Sequence, residues 1–511
     1  MGDHSERRLT AAIGPRGIQD KMRLHKMGIW MHGIRWLAQW GYLGLLVMAV
    51  PVYGSTLYLP LNDPMAPEVE RLAVVSELSS MSRPYPLSRI QTAAENSAKR
   101  FPELSERILA YLHTVYGADL NMVHAGVEVS ASNDGEGLPL LNNYGDASGR
   151  DYALYATGAW NSGGALKGLA QLRVFDDNGK VELAPDLAYL SVGPGWAQLD
   201  VGYRDHWFAP GRGDSPLISN NAESFPALTL SNTEPFSFLG LHYEFFVGQL
   251  QNHESIMLGT VSSSGRPYLA GTHITIAPAE WLELGATRTF MFGGGARDVS
   301  SGDFFEAFLD PTGKDNVGLG DCTGKSPNCE FGNQQMTLSG AIKMDISGKP
   351  LQVYGIVGAE DTSRGSAQYL GNVLMSVGAY FPWLTQHSSL RMEYAEFEAG
   401  WYVHHIYQDG YTNDGRVLGA GWGDLQGGGL GAAGRSVLLQ WSFTPAERVQ
   451  WDVELRQVSS RTDAGWDYAQ LYRVTRHQWT DTVRRSGWFL SADIGHMASE
   501  THWVLGGGYE W

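Results

Sequence analysis

Cysteine is almost missing from this chain: Cys322 and Cys329 are the only two in 511 residues. So few thiols exclude a disulfide framework. In an exported chain, a pair separated by six residues in a polar loop reads as one local disulfide rather than a metal site. Long apolar runs are missing too. After residue 54 no stretch stays apolar over the roughly 20 residues that a membrane-spanning helix needs. Positive charge is in deficit, with 37 Lys and Arg against 54 Asp and Glu, a formal charge of −17. Nucleic-acid phosphates demand a basic face, so nucleic acid is excluded as a partner.

The first 54 residues stand apart. Arg7, Arg8, Arg16, Lys21, Arg23, Lys26 and Arg35 precede the short apolar run Leu43–Val50, and Pro51-Val-Tyr-Gly-Ser55 follows. A charged region, a short apolar region and small residues around Gly54 are the order of a secretory signal, so residues 1–54 read as a removed leader. It carries seven Lys/Arg and three Asp/Glu, which leaves the remainder near −21. Helical periodicity is confined to residues 65–118. Pro67-Glu68 opens one helix, a second runs from about Ser88 to Lys99, and Pro102-Glu103 opens a third that stops at Gly117. Three such helices bury little alone, so residues 55–121 read as a three-helix bundle docked on something larger, on the periplasmic side.

From Met122 the pattern becomes eighteen alternating runs of about ten residues: 122–130, 151–160, 165–175, 186–192, 196–203, 238–249, 253–260, 268–277, 281–290, 334–344, 351–359, 372–381, 388–397, 436–443, 449–458, 467–474, 485–494 and 502–511. Connections after even-numbered runs are mostly tight. Those after odd-numbered runs include every long one: 131–150, 204–237, 291–333 and 398–435. A soluble sandwich has no reason to sort its loops by parity, whereas an outer-membrane barrel has short periplasmic turns and long external loops. Facing agrees: Val449, Trp451, Val453 and Leu455 point one way, and Gln450, Asp452, Glu454 and Arg456 the other. Phe381, Trp383, Trp281 and Trp441 fall near strand ends, where an aromatic girdle sits. The chain closes on Trp503, Leu505, Gly507, Tyr509 and Trp511 along one face, as a barrel's closing strand would. The fold class expected is therefore an all-β transmembrane, 18-stranded antiparallel outer-membrane β-barrel over residues 122–511.

The densest motif is Gly202-Tyr-Arg-Asp-His-Trp-Phe-Ala-Pro-Gly211, continuing through Asp214-Ser215, Leu217–Ser224, Pro226 and Leu230-Ser-Asn232 into Leu239-Gly240 and Tyr243-Glu-Phe-Phe246. Here the sequence resembles the Wzi family, the capsule-assembly proteins of Gram-negative outer membranes. The resemblance covers roughly residues 55–511. It implies a monomeric lectin: an eighteen-stranded barrel with a periplasmic helical bundle, whose external loops hold capsular polysaccharide at the cell surface. Separately, the terminal Tyr509-Glu-Trp511 resembles the signal that the outer-membrane barrel-insertion machinery reads. The Cys322–Cys329 loop is not part of the resemblance.

Two groups of residues are candidates for the site. Arg204, Asp205, His206, Asn220, Asn221 and Glu223 read as a structural plug, with charges pairing inside the lumen and asparagines capping turns. In the same motif Trp207, Arg212 and Asp214 are candidate sugar contacts. Asp205, His206 and Ser215 or Ser219 also spell a possible catalytic trio, but no strained nucleophile turn accompanies them, so no enzyme is expected. Loop 399–435 carries Trp401, Tyr402, His404, His405, Tyr407, Tyr411 and Trp422 among Gly, Asn and Asp, a composition suited to stacking on a capsular polysaccharide or exopolysaccharide. Its competing reading is loop packing. Adjacent His404 and His405 seldom face one ion, and the aspartates of loop 291–333 lack EF-hand order, so no metal or other cofactor is expected. The alternative function is a porin or exopolysaccharide export channel, for which an open lumen lined by Asp452, Glu454 and Arg456 would speak.

Overall fold

The computed structural model describes residues 54–511 apart from 134–137, 140, 149–150, 162, 178–179, 214, 310–329, 361–370 and 498–499. Residues 1–53 of the leader, Asp214, Cys322 and Cys329 lie outside the described residues. Three helices come first: α1 (Ala66–Val75), α2 (Leu87–Ser97) and α3 (Pro102–Tyr116). The first wall strands are β1 (Leu120–Ser132), β2 (Tyr152–Trp160), β3 (Leu166–Asp177), β4 (Lys180–Val192), β5 (Gln198–Tyr203) and β6 (Pro226–Ser231). Next come β7 (His242–Gln249), β8 (Tyr268–Ala279), β9 (Leu282–Phe292), β10 (Gly332–Ile346), β11 (Lys349–Glu360) and β12 (Val373–Thr385). The wall ends with β13 (Ser388–Phe397), β14 (Gly434–Ala446), β15 (Val449–Thr462), β16 (Gly465–Trp479), β17 (Gly487–Met497) and β18 (Glu500–Glu510).

Each wall strand pairs antiparallel with the next, and β18 returns to β1, with Gly126 opposite Glu510 and Ser132 opposite Val504. The final residue completes the seam. Trp511 N–H donates to Ala125 O at 2.9 Å, and Ala125 N–H to Trp511 O at 3.1 Å. Closure leaves no strand edge unpaired, which is the condition for β-structure in hydrocarbon. The outward face is apolar: Leu505, Val437, Val377 and Leu490 are among the large exposed side chains. No helix among the described residues is long and apolar enough to cross a membrane. Connections after even-numbered wall strands never exceed the ten residues of 232–241, while 133–151, 204–225, 250–267, 293–331 and 398–433 all follow odd-numbered ones. The barrel thus has a short-turn end and a long-loop end.

The count of eighteen holds, although two strand assignments differ. Pro226–Ser231 is a wall strand, where the sequence reads as loop; it is short and opens on proline. Residues 253–260 read as a wall strand, yet His253–Leu258 pairs with Val261–Gly265 in a hairpin within the β7–β8 loop. The two differences cancel. Strand β4 also begins six residues earlier than its alternation suggests. Its register shifts so that Gln171 faces Leu187 and Leu172 faces Pro185, leaving Asp186 as the extra residue. Such a bulge accommodates the proline and turns Asp186 toward Arg173, whose Nη2 lies 3.1 Å away. Loop 293–331 holds a further helix, α4 (Ser301–Leu309).

The helices share one apolar cluster with the wall. Leu57, Val69, Leu72, Ile108 and Tyr111 pack with Val123, Leu169, Leu187 and Tyr189. Trp383, expected in a lipid girdle, instead stacks on Phe101 at the start of α3, with ring centroids 5.3 Å apart and planes 9° from parallel.

Candidate functional site

The lumen is where the motif after β5 goes. Beyond Tyr203 the chain turns inward, and Arg204, Asp205, His206 and Trp207 are all buried. Arg204 pairs with Asp200 at 3.0 Å and with Glu244 of β7, and its guanidinium sits 4.5 Å over the Tyr58 ring. The sequence reading expects Arg204 to pair with Asp205 or Glu223. Its partners are wall residues instead, because Asp200 and Glu244 face the lumen beside it. Asp205 accepts from the Tyr144 hydroxyl at 2.6 Å, and burial pushes its carboxyl up to about 7. His206 Nδ1 lies 2.6 Å from Glu244 Oε1, and its ring stacks 4.2 Å from Phe246. Burial holds that imidazole below its ordinary value despite the carboxylate.

A strap from the N-terminal region meets this loop inside the barrel. Residues 76–86 join α1 to α2, and Arg83 forms an antiparallel bridge with Trp207: N–H to O at 2.9 Å one way and 3.0 Å the other. The Arg83 guanidinium donates to Pro210 O at 2.7 Å and Gly211 O at 2.9 Å. Glu70 of α1 then gathers three cations. Arg391 of β13 lies 2.7 Å away, Arg212 of the loop 3.1 Å, and Arg83 3.8 Å. Burial would raise the Glu70 carboxyl, but Arg212, Arg391 and Arg83 hold it at about 2. Glu393, also on β13, accepts from the N–H groups of Arg212 and Gly213, each at 2.8 Å. Helix, strap, loop and wall are therefore tied through one node of three arginines and two glutamates. Two polar cavities stay open beside it: one of about 290 Å³, lined in part by Glu70, Arg83, Arg456 and Arg473, and one of about 300 Å³, lined in part by Glu70, Arg391, Asp452 and Glu454. Arg456, expected to line a pore, is buried with Nη2 3.5 Å from Gly213 O.

The catalytic trio does not assemble. Ser215 donates to Ile218 O at 2.5 Å and Ser219 to Gly419 O at 2.7 Å, while His206 is held by Glu244. Asn221 Nδ2 donates to Val417 O at 2.9 Å and Asp424 at 2.8 Å, so it clamps two loops together. Asn220 supplies its carbonyl to Tyr144 N–H at 2.6 Å, and Glu223 supplies its own to Asn413.

Loop 398–433 packs down on this plug. Trp401, Tyr402, Tyr407, Tyr411 and Trp422 belong, with Trp207, to the same buried apolar cluster as Phe208, Leu217 and Ile218. Trp422 is fully buried, its ring 4.6 Å from Phe397. Tyr402 bridges the loops: its hydroxyl donates to Pro216 O at 2.8 Å and accepts from Ala420 N–H at 2.9 Å. The shallow aromatic platform expected from composition is thus not presented here. Those faces are spent on one another, and Trp207 and Arg212 are likewise engaged inside. His404 is buried, with a pKa lowered to about 3 by burial and by His405 and Arg297. Glu398, Val403, His405, Gln408, Asp414 and Leu430 are exposed side chains of the loop. Sequence reasoning missed Glu70, Arg83, Arg391 and Glu393 altogether. Their only signal is charge: Glu70 on a largely apolar helix, Arg83 among the prolines of the strap, and Arg391 and Glu393 on an inward strand face.

A closed, lipid-faced, eighteen-stranded barrel with its lumen occupied from both ends defines an outer-membrane barrel of the plugged kind. The family model of the capsule assembly protein Wzi matches residues 122–488. The chain belongs to that family. Among solved structures it is similar to Wzi of Escherichia coli, described as an outer-membrane protein involved in group 1 capsule assembly and a carbohydrate-binding β-barrel. The TM-score is 0.66 at 17% identity, covering 90% of this chain and 99% of that one. OccD3 of Pseudomonas aeruginosa (TM-score 0.44, 9% identity, 77% of this chain and 91% of that one) and OccAB4 of Acinetobacter baumannii (0.46, 9%, 76% and 97%) are more distant. No curated protein matched the chain in a sequence search.

Proposed function

We propose that this protein is an outer-membrane lectin that holds a capsular or extracellular polysaccharide at the cell surface without altering it covalently. In this reading the long-loop end faces outside, α1–α3 face the periplasm, and the barrel works as a monomer. Tyr509 and Trp511 serve the insertion machinery, and the lipid-facing band holds the barrel in the membrane. The observation that carries it is the Arg83–Trp207 bridge at the Glu70 node, where the strap and the loop meet inside the lumen. A conducting porin or exporter needs that space for its solute, whereas a surface lectin needs its loops held rigidly from below. The buried aromatics of loop 398–433 then act as the foundation of the binding surface, and its exposed side chains, with His405 and Gln408 foremost, touch the polymer.

Polysaccharide retention tests this. In a strain lacking the gene, cell-bound polysaccharide should fall and polymer shed into the medium should rise, and the intact gene should restore both. A complementing variant carrying H405A and Q408A should restore insertion but only part of the retention. Unchanged retention in the deletion strain would reject the proposal.

A further inference from the structure

Glu330, His404 and His405 converge at the long-loop end, on a point that extended chain would not let adjacent histidines share. Glu330 lies just before β10, and the histidines lie in the loop after β13, where the backbone is turned rather than extended. His405 Nε2 is 2.8 Å from Glu330 Oε2 and His404 Nε2 is 3.6 Å from Oε1. The two imidazole centroids are 4.4 Å apart, and one ligand atom from each of the three residues lies within 4.8 Å of the others. Glu330 Oε1 is buried with no hydrogen-bond partner among the described residues, a costly state for a carboxylate oxygen. Arg297 is close by, but its guanidinium donates to the backbone carbonyls of Met257, at 2.9 Å, and Glu330, not to the carboxylate.

We propose that Glu330, His404 and His405 bind a divalent transition-metal ion of the zinc class, leaving one coordination position open to solvent. Two imidazoles and one carboxylate suit zinc-like ions. Bonds of about 2.0–2.2 Å place tetrahedral ligand atoms roughly 3.3 Å apart, and the carboxylate–imidazole separations of 2.8 and 3.6 Å bracket that spacing. Calcium asks for about six to eight oxygens, which one carboxylate does not supply. The His405 side chain is 56% exposed, so an ion has a way in. Ligation by His404 Nε2 places the ring proton on Nδ1 and gives up the 3.3 Å contact from Ile406 N–H. The site shares His405 with the proposed polymer surface, but it does not depend on that reading and is tested with the metal alone, without polymer.

The experiment is calorimetric titration of tag-free, chelator-stripped protein in detergent with zinc chloride, then with calcium chloride. One zinc per chain is expected, with no calcium heat, and cobalt should give the visible absorption of a low-coordinate site. H405Q changes an exposed side chain and E330Q preserves volume, so both should keep the heat-modifiable migration of a folded barrel. Loss of an outer-shell partner already costs about 10–100-fold, so each should weaken zinc binding at least 100-fold. A parent that binds no zinc, or zinc bound equally by parent, H405Q and E330Q, overturns the assignment.

Discussion

Glu70 Oε2 lies 2.7 Å from Arg391 Nη2, joining a helix near the start of the chain to a wall strand 321 residues later. Because Arg212 and Arg83 share the same carboxylate, its removal takes counter-charge from the buried Arg83 and Arg391 and from the partly exposed Arg212. E70Q should therefore destabilise the barrel by about 3–5 kcal/mol, the usual cost of breaking a buried pair from one side. Urea unfolding in detergent measures this. Planar-bilayer recording should show a quiet parent and intermittent conductance in E70Q.

The same carboxylate sets an acid limit. Its folded pKa of about 2 lies below its ordinary 4.5, so the unfolded chain binds its proton first as pH falls. The stability it contributes is full above about pH 4.5 and is lost as pH drops toward 2. Thermal unfolding between pH 7 and 2.5 should fall more steeply in the parent than in E70Q. Parallel curves would count against the node.

Trp401 and Trp422 should behave as core residues. W401A or W422A should each cost about 3–5 kcal/mol, with loss of hydrogen-exchange protection in loops 398–433 and 204–225. A stable, fully protected double variant with weakened polymer binding would instead return these rings to the surface role that composition suggests.

The proposed topology, with the long-loop end outside, rests on loop length. Epitope tags after Gly302 and Gly429, both exposed in long loops, should be reached by antibody on intact cells. A tag after Gly348, in the two-residue turn between β10 and β11, should be reached only after permeabilisation.

Deleting residues 509–511 should leave degraded protein in the periplasm, because the seam loses both Trp511–Ala125 hydrogen bonds and part of the β1–β18 register. Normal heat-modifiable barrel in the outer membrane would place the closing signal elsewhere.

The wall was legible in the sequence because period-two alternation and sorted loop lengths are local signals that lipid enforces residue by residue. The exceptions have local causes: Pro185 interrupts β4 through a bulge, and Pro226–Ser231 is too short to stand out. The interior was legible only as a motif. Arg204 finds its partners in Asp200 and in Glu244, forty residues on, and nothing at those positions marks them as a set. The loop aromatics were misleading for a related reason. Trp and Tyr among Gly and Asn suit a glycan surface and the packed roof of a plug equally well, and only tertiary contact distinguishes them.

The most direct measurement is binding of the purified, folded barrel to polysaccharide released from the same cells, followed by surface plasmon resonance on immobilised polymer. Saturable binding to that polymer, weakened by H405A with Q408A and absent after heat unfolding, is the expected result. A folded barrel that shows no affinity for the polymer, yet conducts sugar or ions steadily in bilayers, would contradict the account.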